Sequence, residues 1–338
     1  QNSTAPAITF TGAGGTAPYT FTYQINSGTN QTVTTTSGNS VTVTQPTNTV
    51  GTYVYTLISV QDANSCSQSQ TGSGNANANT VINVINCDLK LSAKLYLEGP
   101  FNSATGLMND GLRTTIPSPR IPFVQPYTIL SYTGTFASNH SGNESTNAVV
   151  LSVAGNNAIV DWVLVELRDP TNRAIIVSSK AALLQRDGDI VDTDGTSNVS
   201  FSGVATGNYV VSIRHRNHLA IRTLNPLAFL PSVITTIDFT DPTNTNVLTT
   251  GAVGNYWKTV TVTAGTPNVQ KKVINVGDAN RNGQITGADR LQFSNQNGNL
   301  TLTYFTATAD YNMNGTVTGA DALRIDANIT TTQPNIHQ

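Results

Sequence analysis

The sequence predicts a mainly β protein, with tandem β-sandwiches followed by a small α-helical module at the C-terminus. Three observations carry that prediction. Runs of alternating apolar and polar residues recur between clusters of Gly, Ser and Asn, the pattern of half-buried strands joined by turns. Charge density changes abruptly near residue 88: Asp62 is the only charged side chain before it, and charges appear at ordinary density after it. A twelve-residue segment is written twice near the C-terminus, at residues 278–289 (DANRNGQITGAD) and 310–321 (DYNMNGTVTGAD). The domain boundaries read from these signals are 1–87, 88–276 and 277–338.

In residues 1–87 the alternation places Tyr19, Phe21, Tyr23 and Ile25 on one face, with Val41 and Val43, then Tyr53, Tyr55 and Leu57, in later strands. Turn clusters at Gly12-Ala13-Gly14-Gly15, Ser37-Gly38-Asn39 and Gly72-Ser73-Gly74 separate these runs at the spacing of a small immunoglobulin-like sandwich. Natural sheets guard their edges with charge. A domain with one charged residue reads as an ordinary spacer module solvated by hydroxyls and amides; the alternative is a surface intended for burial, whose edges are free to pair.

Residues 88–276 carry further strand signals at 91–97, 149–153, 162–167, 175–179, 209–215, 234–239 and 257–262. Asp187, Asp189, Asp192 and Asp194 form an acidic run that reads as turn-forming and ion-pairing rather than as a calcium site. In Arg214-His215-Arg216-Asn217-His218, a strand's period of two sets the histidines on opposite faces and argues against a shared metal. Arg214, Arg216 and His218 then share a face and pair with the acidic run. Trp162 and Trp257 sit in strand patterns and read as core.

Cys66 and Cys87 are the only cysteines. In a secreted chain the pair reads as one intrachain disulfide, with two thiols or an intersubunit bridge as alternatives. No apolar run approaches the length a membrane helix needs. The chain begins at Gln1 with no visible signal peptide, which reads as a processed N-terminus or as a boundary within a longer chain. A net charge of −2 with 11% charged residues provides no basic face for nucleic acid and no polybasic membrane patch. No nucleophile elbow, His-Glu-x-x-His helix or phosphate loop occurs, and Glu98, Glu144 and Glu166 are the only glutamates. The expectation is that the chain is not an enzyme.

The duplicated segment is the strongest chemical signal. An EF-hand-type calcium loop needs oxygen donors at positions 1, 3, 5 and 12, a backbone carbonyl at 7 and Gly at 6 for the sharp turn. The first copy supplies Asp278, Asn280, Asn282, the Gln284 carbonyl and Asp289 around Gly283; the second supplies Asp310, Asn312, Asn314, the Thr316 carbonyl and Asp321 around Gly315. Thr286 and Thr318 fill position 9, where a hydroxyl or bridging water completes the shell. Two calcium ions are expected. With two carboxylates per loop the affinity belongs at the weak, extracellular end, roughly 10⁻⁴–10⁻³ M.

Residues 277–328 resemble dockerin type I modules, which carry Asp at position 12 and follow each loop with a helix. That resemblance implies helices starting at Ala288-Asp289-Arg290-Leu291 and Ala320-Asp321-Ala322-Leu323, pairing of Ile285 with Val317, and a cohesin-like partner. The stretch Ile8-Thr9-Phe10-Thr11-Gly12 through Pro18-Tyr19-Thr20-Phe21, with Gly51-Thr52-Tyr53 and Val60-Gln61-Asp62-Ala63, resembles repeats of very large surface adhesins of gliding bacteria, implying surface display and type IX export. Leu97-Glu98-Gly99-Pro100-Phe101 and Trp162-Val163-Leu164-Val165-Glu166-Leu167-Arg168-Asp169 resemble a module of the same surface proteins. Val199-Ser200-Phe201-Ser202-Gly203-Val204 with Gly207-Asn208-Tyr209 resembles prealbumin-like sandwiches, a statement about fold only.

Two function classes follow. In the first, the chain is an extracellular, calcium-stabilised structural or adhesive surface protein whose partners are copies of itself in a filament or layer. In the second, it is a dockerin-tethered carbohydrate-binding module or enzyme, with a cohesin-like or glycan partner. If calcium orders the tail, chelation should make residues 277–328 the first site of proteolysis, and Asp289→Ala with Asp321→Ala should reproduce that pattern. A tail cut no faster after either change would count against the calcium assignment.

Overall fold

In a computed structural model, which describes residues 4–69, 79–85, 87–114, 120–130, 142–248, 256–264 and 267–329, the chain divides where its charge density changes. Gln1–Cys87 forms one unit and Asp88–Gln338 the other. The structure is mainly β.

The first unit contains β1 (Ala7–Thr11), β2 (Thr20–Ile25), β3 (Gln31–Thr34), β4 (Ser40–Thr44), β5 (Gly51–Gln61), β6 (Ser67–Ser69) and β7 (Asn79–Val84). β1 pairs antiparallel with β4, and β3, β2, β5 and β6 lie in that order in a second sheet, with β7 also on β5. Alternation along β1 and β2 puts Ile8, Phe10, Phe21 and Tyr23 into one buried cluster with Tyr19 and Tyr55. Phe10 and Phe21 stack with ring centroids 5.5 Å apart, which brings the two sheets face to face. The buried tyrosines keep their hydroxyls satisfied: Tyr19 donates to Gly15 O at 2.6 Å and Tyr55 to Gln45 Oε1 at 2.7 Å. The turn expected at Gly72-Ser73-Gly74 lies outside the described residues.

The expected disulfide is not formed, and Cys66 and Cys87 are both exposed. The strand register gives the reason. β6 pairs with the C-terminal end of β5, Gln61 opposite Ser67, whereas β7 pairs with its N-terminal end, Gly51 opposite Val84. Cys66 therefore lies beyond one end of β5 and Cys87 beyond the other. At ~3.3 Å per residue, the length of β5 separates them far beyond the ~7 Å Cα limit for a disulfide.

The second unit opens with β8 (Leu89–Lys94) and a short hairpin of β9 (Phe101–Asn102) and β10 (Leu107–Met108), then α1 (Gly111–Thr114) and α2 (Ala148–Ser152). Strand pattern was expected at 149–153, but Asn147 overrides the β-branched run. Its side chain accepts from Val149 N and Val150 N and starts a helix there. Then follow β11 (Ile159–Arg168), β12 (Ile176–Gln185), β13 (Asp189–Val191), β14 (Val199–Phe201), β15 (Gly207–Arg214), β16 (Ile221–Arg222), β17 (Leu227–Phe229) and β18 (Ile234–Asp238). They build one sheet with β8, in the order β14-β8-β13-β12-β11-β15-β16, with β18 parallel to β8 and β17 on β15.

β17 and β18 thus lie towards opposite edges of that sheet, yet only residues 230–233 separate them in the chain. Thr235 Oγ1 donates to Ala228 O at 2.9 Å. The sheet curls until these edges meet. Every residue of β11 is buried, which explains its near-continuous apolar run. Trp162 on it is fully buried and donates Nε1–H to Pro122 O at 2.9 Å; Trp257 packs, half-buried, against the core.

The acidic run makes turns and ion pairs. Asp189 meets Lys94 at 2.7 Å, Asp192 pairs with Lys180, and Asp194 accepts from Thr196 N and Ser197 N of its own turn. Last come the hairpin β19 (Trp257–Val262) and β20 (Val269–Ile274), then α3 (Gly287–Gln296) and α4 (Gly319–Asp326). α3 and α4 belong to the second unit rather than standing apart from it.

Both thiols should react with an aqueous thiol reagent in the native protein, two per chain. Reducing agent should leave the melting temperature unchanged. Fewer than two reactive thiols in the unreduced protein would restore the bridge.

Candidate metal centre

β20 runs directly into the first loop, placing Asp278 four residues beyond Ile274. The two loops fold alike because their local rules are the same. Position 4 takes the left-handed conformation at Arg281 (φ 62°) and Met313 (φ 58°). Position 6 does so at Gly283 (φ 79°) and Gly315 (φ 86°), where glycine carries no steric cost.

These turns wrap each backbone around its own donors. Asp278 Oδ1 accepts from Asn282 N at 2.9 Å and its Oδ2 from Gly283 N at 2.9 Å. Asn280 Oδ1 accepts from Asn282 N at 3.0 Å and Asn282 Oδ1 from Gln284 N at 2.8 Å. In the second loop Asp310 accepts from Asn314 N at 3.1 Å and Gly315 N at 2.8 Å. Asn312 there accepts from Asn314 N, and Asn314 from Thr316 N.

The position-12 carboxylates close the loops. Asp289 accepts from Asn280 N at 3.1 Å and Thr286 N at 2.9 Å; Asp321 accepts from Asn312 N and Thr318 N, both at 2.9 Å. The same carboxylates form the reciprocal half of a capping box, so one side chain closes the loop and starts the helix. α3 and α4 begin one residue before the starts the resemblance implies. Thr286 Oγ1 accepts from Ala288 N at 3.3 Å, as the N-cap of α3. Ile285 and Val317 share one buried cluster, but no β-bridge joins them among the described residues, and the Val317 carbonyl accepts from Gly298 N at 3.0 Å instead.

All ten residues expected as ligands therefore lie in two matching loops. Asp278, Asp289, Asp310 and Asp321 are each at most 4% exposed. Burial pushes Asp278 up to about 7, against the pull of the Gly283 and Asn282 N–H groups and with a further push from Asp289. Burial raises Asp310 to about 6, with Arg216 pulling down and Asp321 pushing up. Burial raises Asp289 and Asp321 as well. Carboxylate oxygens that accept one N–H each keep lone pairs for a cation. The donor set is all oxygen, neutral amides between two buried carboxylates, and it suits a hard divalent ion such as calcium.

Sequence reasoning missed how this tail is held. β15 ends at Arg214, so the period-two reading fails beyond it. His215 and His218 are not on opposite faces: their Nδ1 atoms approach to 3.0 Å, with both rings buried. Nor does this segment pair with the acidic run. Arg214 meets Glu166 at 3.3 Å, and Arg216 Nε donates to Asp161 Oδ2 at 2.8 Å.

The same segment grips both loops. Asn217 Nδ2 donates to Asp310 O at 2.8 Å, and Gly277 N donates to Asn217 O at 3.0 Å. Arg216 Nη1 donates to Ala307 O at 3.0 Å, and Arg120 Nη1 donates to Gly315 O. Gly99 completes the contact. A Cβ there would lie 1.8 Å from Tyr311 O, so only glycine lets the chains approach, and its N–H donates to His218 Nε2 at 3.1 Å.

Raised carboxylates set a pH dependence whose sign is fixed. Without metal, folded loops hold protons that unfolded loops have released, so stability falls as pH rises from about 4 towards 7. Calcium takes the deprotonated form, so its stabilising increment should grow over that window. Thermal unfolding of calcium-loaded and chelated protein across that range checks this. An increment independent of pH would place the ion elsewhere.

Residues 255–330 match the model of the dockerin type I domain, and such domains typically bind calcium. No curated protein and no solved structure matches the chain. The C-terminal part of this chain is a dockerin type I domain, fused through buried contacts to the β-sheet unit that precedes it.

Proposed function

We propose that the chain is an extracellular, calcium-fastened structural and adhesive surface protein that works by contact rather than by catalysis. Copies assemble into a filament or surface layer through the strand edges of the first unit. The carrying observation is β7. Among the described residues it pairs only with β5, most of it is exposed, and Val81 is 55% exposed on it. No charge guards this edge, and an uncharged, partly apolar edge strand is a template for pairing. The resemblance of this unit to adhesin repeats supports surface display by the type IX route. No helix among the described residues is long and apolar enough to cross a membrane.

Two features support a role without catalysis. Among the described residues, the one His–Asp pair with the look of an acid–base dyad, His215 with Asp161, is fully buried and already engaged by Arg216 and Tyr304. The dockerin domain is braced into the core, as suits an internal fastener.

A second reading rests on the opposite face of that domain. Dockerin domains bind cohesin partners. Leu291 on α3 and Leu323 on α4 occupy equivalent positions and are 60% and 75% exposed, which suits docking to a cohesin-like partner.

Electron microscopy of the native extracellular material should show regular assemblies that fray on chelation, and Val81→Lys should disperse them. Monomers at every calcium concentration would remove the assembly reading and favour the docking one.

A further inference from the structure

Three segments distant in sequence meet at Glu98, just beyond β8. Lys258 comes from β19 and Asn328 from the turn after α4. Glu98 Oε1 lies against Lys258 Nζ, and Glu98 Oε2 accepts from Asn328 Nδ2 at 2.6 Å. Lys258 Nζ also donates to Asn328 Oδ1 at 3.1 Å. The backbone of Val276 fixes both partners: its N–H donates to Glu98 Oε2 at 3.1 Å, and its carbonyl accepts from Asn328 Nδ2 at 2.8 Å. Asn328 is 5% exposed and the Glu98 side chain 12%.

An ion pair needs only the lysine and the carboxylate. Here the same carboxylate touches two nitrogens, the amine of Lys258 and the amide nitrogen of Asn328, while the amine reaches the carbonyl oxygen of that amide. That is the arrangement amide exchange requires: a nucleophile, an acyl carbon beside it, and one acid–base group within hydrogen-bond reach of both the attacking and the leaving nitrogen. Holding the three together replaces a very slow bimolecular reaction by an intramolecular one.

We propose that Lys258 and Asn328 join in an intramolecular isopeptide bond, with Glu98 as the proton carrier. The Lys258 ammonium gives a proton to Glu98 Oε1. The freed Nζ lone pair adds to Asn328 Cγ and forms the Nζ–Cγ bond. Glu98 passes the proton to Nδ2, the Cγ–Nδ2 bond breaks, and ammonia leaves, taking up a second Nζ proton as ammonium. One C–N bond forms and one breaks, Glu98 returns to its carboxylate, and no oxidant or cofactor is required. The bond ties β19 to the residue just beyond α4, so a covalent loop encloses both duplicated segments. Chelation could then loosen the loops without releasing the end of the domain.

Peptide mapping of the folded, calcium-loaded full chain by tandem mass spectrometry tests this. Intact mass alone is insufficient, because it does not locate the loss of ammonia. The expected result is a branched peptide linking the segments of Lys258 and Asn328, lighter by one ammonia than their sum. Lys258→Arg keeps the charge beside Glu98 and should abolish the branched peptide; Glu98→Gln keeps an acceptor for Val276 N–H and should abolish it too. In both variants an unchanged calcium-dependent protease pattern would confirm folding. Full recovery of linear peptides with unmodified Lys258 and Asn328 from the folded wild type would overturn the bond, and a branched peptide persisting in Glu98→Gln would overturn the role of Glu98.

Discussion

The second unit depends on one buried charge. Asp161 lies on the fully buried strand β11 and is 0% exposed. A carboxylate there persists only with every lone pair engaged. It accepts from Arg216 Nε at 2.8 Å and Tyr304 Oη at 2.6 Å, with His215 Nε2 at 3.2 Å. Burial alone would raise Asp161; Arg216 and His215 override it and hold the group down to about 2. The Trp162 N–H also donates to Oδ1 at 2.8 Å; of the three side-chain partners, two follow β15 and the third comes from the stretch between the duplicated loops. The need to neutralise Asp161 therefore fixes where the dockerin domain sits on the sheet. Removing one partner of such a pair costs about 3–5 kcal/mol, far more than a surface contact of the same length.

That constraint makes two nearly identical loops unequal. Arg216 answers Asp161 on one side and pulls Asp310 down on the other, while Asp278 has no such cation among its influences. Burial is the larger influence on both, raising Asp278 to about 7 and Asp310 to about 6. Burial raises the first carboxylate of both loops, so protons would compete with a cation at each, and the second also faces a nearby guanidinium. Repetition in sequence fixes the ligand geometry; the neighbours of each copy fix its electrostatics.

The loops were legible because each of their rules is local. Oxygen donors at fixed spacing, glycine at the positive-φ position, and an Asp that serves both ligand and cap need no knowledge of the rest of the chain. The strand segments were legible for the same reason, with 257–262 falling on β19 and 234–239 on β18. What failed needed long-range information. The histidines were read with a strand's period although the strand ends at Arg214, and nothing local marks Asp161, buried on a neighbouring strand, as their partner. The cysteines were paired as the only two in a chain read as secreted, yet the length of β5 holds them apart. At 149–153 a strong local signal was read, but a stronger one, the Asn147 cap, lay just upstream.

The two units satisfy their buried polar groups by different means. In the second, charges answer charges inside the fold: Glu166 bonds Arg168 at 2.6 Å and Arg214 at 3.3 Å beside the Asp161 cluster. In the first, neutral groups suffice, as in Tyr55 with Gln45 or the Tyr19 N–H with Thr35 Oγ1 at 2.9 Å. Neutral pairs avoid the desolvation cost that buried ions carry, so scarcity of charge does not by itself weaken the core of this unit. Its consequence falls on the surface, where Lys and Glu ordinarily keep strand edges apart. A core of neutral pairs with unguarded edges is what the proposed role in edge contact would require of this unit.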